Sequence, residues 1–142
     1  MFIQDRNSAR RFFIDIWNKY LQKRSLEPLE QRVLAVILEH SEYHEILSDP
    51  QSALAEEYSP EEGRSNPFLH MGMHIAIKEQ VSSDRPSGIS GLYRTLLENH
   101  AGDQHCVEHL MLECLGESLW TAQRNGLPPD EQAYLDCLRK LR

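Results

Sequence analysis

Six of the seven histidines fall into three pairs with a spacing of four: His40 and His44, His70 and His74, and His105 and His109. Random placement of seven histidines in 142 residues would give only ~0.3 such pairs. On a helix, residues four apart are neighbours on one face, so two imidazoles can converge on one ion at roughly 2.0–2.1 Å per nitrogen. The chemistry these pairs point to is coordination of a transition metal.

The stretch NPFLHMGMHIAI, residues 66–77, has no formally charged side chain. Apolar residues surround a helix there on nearly every side, so His70 and His74 have no obvious solvent face and are expected to be buried. Each ring carries two nitrogens that need partners, and an unsatisfied buried polar group costs about 1–3 kcal/mol. Gly72 lies between them, and a missing side chain there would let another helix approach closely. A source of partners is the later segment in which His109 and Glu113 are again four apart. The candidate metal ligands are therefore His70, His74, His109 and Glu113, with His44 as a possible fifth. Three nitrogens and an oxygen suit zinc or iron better than magnesium or calcium, which prefer oxygen alone. Lys78, one turn beyond His74, is a cation beside a cation site and counts against the idea. In the competing account the histidines are structural, hydrogen-bonded in a core to Glu113, Glu117 or backbone carbonyls.

Two known patterns fit poorly. His105, Glu108 and His109 match the HxxEH signature of a zinc-peptidase class, with Glu108 as general base. That class needs a large α/β fold and a distant acidic ligand, and too little chain follows His109. The elements of the di-iron helical oxygen carriers occur here in the wrong order.

The histidines require helices to hold them. Phe12, Phe13, Ile16, Trp17, Tyr20 and Leu21 form a stripe of helical period over about residues 7–24. Pro28 opens a second helix, with Leu29, Val33, Val36, Ile37 and Leu38 directed inward, which falters near His40. SEYHEILS and QSALAEEY read as short helices separated by Asp49-Pro50, followed by the polar loop SPEEGRSNP. Asn66-Pro67 is a cap followed by a first-turn proline and starts a helix to about 81 or 82. Residues 87–100 form an amphipathic helix closed by Gly102. Asp103 caps a longer one ending at Gly126, and Asp130 caps the last. No alternating β-branched run appears, so the expected fold is all-α: one domain over residues 1–142, a compact bundle of about six helices, two of them short.

Composition narrows the functional classes. The net charge of −7 argues against nucleic-acid binding, which needs clustered cations to displace counterions. Residues 1–24 nevertheless carry a local +4, leaving −11 for the rest, and the simplest account of the basic segment is a solvated helix face. The N-terminus carries Asp5 and Arg6 before any long apolar run and matches neither a signal peptide nor a membrane span. Three cysteines, an odd number with no CxxC spacing, argue against a secreted disulfide framework and for a reducing cytoplasm.

Taken over essentially its whole length, the sequence resembles an uncharacterised proteobacterial family, the domain-of-unknown-function 1841 family. The resemblance is carried by the start MFIQDRNSARRFF, LEPLE at 26–30, EYH at 42–44, the block NPFLHMGMHIAIKEQ, DRPSGI at 84–89, EHLMLECL at 108–115 and the ending PPDEQAYLDCLRKL. It departs from the pattern at Ser41, where a proline is expected after His40. The resemblance implies no activity and no catalytic residues. Two functions follow from the residues themselves: a transition-metal protein whose reaction, if it has one, is unassigned, or a non-enzymatic helical adaptor that uses its polarised charge to bind a protein partner.

Overall fold

A computed structural model of the chain describes residues 6–55 and 66–141. The loop expected at SPEEGRSNP lies largely outside these residues, as does the end of QSALAEEY. Among the described residues there are eight α-helices and no strand. They are α1 (Arg6–Leu21), α2 (Pro28–Leu38), α3 (His44–Leu47), α4 (Pro50–Ala55), α5 (Pro67–Ser83), α6 (Ile89–Asn99), α7 (Gln104–Asn125) and α8 (Glu131–Lys140), with a 3-10 turn at Ser41–Tyr43. The all-helical expectation holds, but the count of about six is too low. Between His40 and Ala55 the chain is cut into a 3-10 turn and two helices of four and six residues. The chain forms two compact units, Met1–Ile75 and Ala76–Arg142, and the division falls inside α5.

In the first unit, α1 packs against α2, α3 and α4. Its core includes Phe13, Ile16, Trp17, Val33, Val36, Ile37, Leu47, Phe68 and Met71. The expected stripes are right at their centres and wrong at their ends. Tyr20, Leu21, Leu29 and Leu38 are exposed, because they sit in terminal turns that reach past the core, whereas Ile14 is buried. Helix α1 stops at Leu21, short of the expected residue 24, and the chain turns off it at Lys23 with φ of 58°. A capping box between Glu27 and Glu30 opens α2. Lys19 donates to Glu30 at 2.7 Å, and this hydrogen bond holds the Glu30 carboxyl below its ordinary value.

The basic segment is not wholly a solvated face. Arg10 is only 2 % exposed. Its Nη1 donates to the Ala53 carbonyl at 2.8 Å and the Leu54 carbonyl at 3.5 Å, and its guanidinium lies 5.2 Å from the centre of the Phe68 ring. Carbonyls in the last turn of a helix lack intrahelical partners, and a cation there also complements the helix dipole. Arg10 thus closes the short helix α4.

In the second unit, α6, α7 and α8 pack on one another. The caps follow the sequence closely. Asp103 Oδ1 accepts from the Cys106 amide and Asp130 Oδ1 from the Ala133 amide, while Gly102 and Gly126 supply the left-handed conformation that closes α6 and α7. Cys114 on α7 and Cys137 on α8 form a disulfide with Cα atoms 5.8 Å apart, and Cys106 is free and exposed. Neither the count nor the spacing of the cysteines anticipated this pair: an odd total leaves one thiol but does not prevent the other two from pairing. No helix among the described residues is long and apolar enough to cross a membrane.

Candidate metal centre

His40 owes its place to the way α2 ends. The helix stops at Leu38, and His40 leaves it with φ of −121° and ψ of 66°. Its ring folds back so that Nδ1–H donates at 2.7 Å to the Val36 carbonyl, which the Glu39 amide reaches only at 3.2 Å. A carbonyl can only accept, so this bond fixes the proton on Nδ1 and, in the neutral ring, leaves the lone pair on Nε2. That is the tautomer a metal-ligating histidine needs. Tyr43 stacks on the same ring, with centroids 5.5 Å apart and planes 4° from parallel. Burial first, then the neighbouring charge of Glu42, pushes the Tyr43 phenol up.

His70 and His74 come from α5. Asn66 accepts from the amides of Phe68 and Leu69 through Oδ1 and so sets the start of that helix. One turn apart, the two rings meet edge to face with centroids 4.8 Å apart. The His40 ring lies 4.6 Å from that of His74 and 5.1 Å from that of His70. The potential ligand nitrogens of the three lie within 4.8 Å of one another. Two nitrogens that share an ion at roughly 2.1 Å can be at most about 4.2 Å apart, so small ring rotations would bring the set into register.

His74 is fully buried and His40 is 1 % exposed. His70 is only half-buried, which corrects the expectation that both histidines of α5 are enclosed. Gly72 does not serve a close helix approach either, because a Cβ added there would meet nothing within 4 Å. Two residues along a helix is a rotation of about 200°, so Gly72 faces away from the histidine side.

Sequence reasoning chose His44 and passed over His40. In the fold, His44 Nε2 is 2.8 Å from the Ile37 carbonyl, and its ring lies 4.3 Å from that of Trp17. Its ring therefore takes a structural place beside α1 and α2. Spacing four relates two faces only along an unbroken helix, and a 3-10 turn intervenes here. The signal that pointed to His40 was the break itself.

The remaining sequence candidates belong to the second unit. His109 is half-buried on α7, its Nδ1–H donates to the His105 carbonyl at 2.9 Å, and the two rings lie 4.2 Å apart. Glu113 is exposed on the same helix. Glu108, which the HxxEH pattern would make a general base, is 3 % exposed and accepts from Lys78 Nζ at 3.0 Å. An ion-paired carboxylate is a poor base. The same contact answers the objection raised by Lys78, whose charge is matched within its own unit.

No curated protein and no solved structure matches the chain. One family does match, over residues 5–140, and its description is "Domain of unknown function (DUF1841)". The quoted blocks and this match over nearly the full length agree: the chain is a member of the DUF1841 family.

Proposed function

We propose that this protein binds a transition-metal ion through His40, His70 and His74. One observation carries the reading: three imidazoles from two helical segments, two of them buried, have their ligand nitrogens within 4.8 Å of one another. Imidazole donors favour borderline first-row ions, with zinc or iron the expected identities, over magnesium or calcium. His109 is retained as a proposed further ligand on sequence grounds. Its Nδ1–H is engaged by the His105 carbonyl, which leaves the lone pair of the neutral ring on Nε2. No reaction is assigned.

Elemental analysis of protein purified without a histidine tag is expected to find about one transition-metal ion per chain. His40→Ala and His74→Ala should each abolish stoichiometric binding. The wild-type protein should lose melting temperature on chelation, whereas the variants should show no metal-dependent shift, because binding to the folded state alone is linked to stability. Metal-free wild-type protein that cannot be loaded with zinc, iron or cobalt would refute the proposal. The histidines would then be structural and the helical adaptor the better account.

A further inference from the structure

In the second unit, α7 and α8 each turn a stripe of side chains toward a common cavity. On α7, Cys114, Ser118 and Thr121 recur at spacings of four and three and so share one face; on α8, Ala133, Cys137 and Lys140 do the same. All six line a cavity of about 600 Å3, a volume ordinary for the binding of a small molecule. The disulfide between Cys114 and Cys137 therefore forms part of its wall. The two halves of that bond differ in access: Cys114 is 2 % exposed, whereas Cys137 is half-buried.

Disulfide exchange begins when a thiolate attacks one sulfur and the other leaves, so access decides which sulfur is attacked. Here access favours Cys137. Helix α8 also has a hold on its unit besides this bond. Tyr134, Leu135 and Leu138 are each at most 4 % exposed, and the Tyr134 hydroxyl donates to Gln80 Oε1 at 2.7 Å. Opening the cross-link leaves that buried face in place. The third cysteine, Cys106, lies two turns before Cys114 on α7, about 12 Å away along the helix axis and beyond the reach of a disulfide. Cys114 is thus the thiol placed to re-form the bond.

We infer that the bond between Cys114 and Cys137 is an exchangeable disulfide, opened and re-formed by a small thiol that enters the cavity and reacts at Cys137. The thiolate RS− attacks Cys137 Sγ; the bond between the two protein sulfurs breaks, and its electron pair leaves on Cys114 Sγ. The products are a mixed disulfide at Cys137 and a Cys114 thiolate, which takes up the proton the incoming thiol gave up. A second RS− attacks the sulfur bonded to Cys137, giving RSSR and a Cys137 thiolate that is protonated in turn. Two thiols are oxidised to RSSR and the protein disulfide is reduced to two thiols; the reverse sequence closes it. A concave site admits a small thiol more readily than a cysteine carried on another folded protein. The inference is independent of the ion proposed above, because every residue it uses belongs to the second unit.

The test uses the full-length Cys106→Ser protein, in which the exposed third thiol no longer reacts, and β-mercaptoethanol as the probe. Peptide mapping after early acid quenching should find the adduct on Cys137 and a free thiol at Cys114. With more probe the bond should open completely while the far-UV circular dichroism keeps its helical signal. Thr121 and Ala133 are exposed residues on opposite walls of the cavity. Thr121→Trp and Ala133→Trp, which fill it, should each slow opening by about tenfold in the native protein and leave the rate in urea unchanged. Protein isolated in the reduced form should close the bond when oxidised β-mercaptoethanol is added. An adduct on Cys114 in place of Cys137 would overturn the assignment of the attacked sulfur. A bond that opens only in urea or only with loss of the helical signal, tryptophan variants that open as fast as their parent, or reduced protein that does not close would each overturn the inference and make the disulfide a static brace or no part of the native chemistry.

Discussion

The two units enclose polar chemistry in opposite ways. In the second, unlike groups are matched: the Glu108 carboxylate with the Lys78 ammonium and the Tyr134 hydroxyl with the Gln80 side-chain oxygen. Burial pushes the Tyr134 phenol up to about 12, as expected of a donor enclosed in its neutral form. In the first unit, like groups are set together, with three imidazole rings whose centroids are 4.6–5.1 Å apart. Matched pairs satisfy each other. Three imidazoles bring like groups to one place, which is the arrangement that the proposed ion would use.

The comparison can be broken first at the matched side. Removing Lys78 strands a carboxylate that is 3 % exposed, whereas removing Glu108 leaves an ammonium that is 33 % exposed and can turn to water. Lys78→Met should therefore cost about 3 kcal/mol of stability, near the lower end for breaking a buried pair, and Glu108→Gln clearly less. Urea unfolding of the two variants checks the order, and equal losses would mean that the pair is not the complementary unit described.

A smaller effect sharpens the other side. His44→Ala removes the bond to the Ile37 carbonyl and the ring packed on Trp17, and should cost about 1–2 kcal/mol while leaving metal content unchanged. Loss of metal in this variant would return His44 to the ligand set in place of its structural role. Smallest of all is an acid-dependent term at Glu30. Its carboxyl is held below the ordinary 4.5 by Lys19, so its contribution is fully present above that value and is lost as pH falls through the lowered one. Glu30→Gln should lower the melting temperature slightly near neutral pH and converge on the wild-type value in acid, so that the acid side of the profile is flatter.

What could be read from the sequence was whatever a helix announces locally. Asn66, Asp103 and Asp130 cap as expected because an Asn or Asp side chain reaches only the next two or three amides. The histidine pair on α5 was legible for the same reason, since spacing four along one helix fixes a common face. Contacts made across a break or between distant segments left no local trace. His40 was discounted where its helix falters, although the faltering directs the ring. Arg10 looked like one more surface cation, yet it serves carbonyls more than forty residues away. The pairing of Cys114 with Cys137 depends on how α8 returns along α7, which no count of cysteines contains.

The Arg10 guanidinium touches both Leu54 and Phe68, so one side chain pins the two ends of the chain between them. The start of α5 is therefore tied through α1 to the end of α4, and the aim of His70 and His74 rests in part on a cation of the first helix.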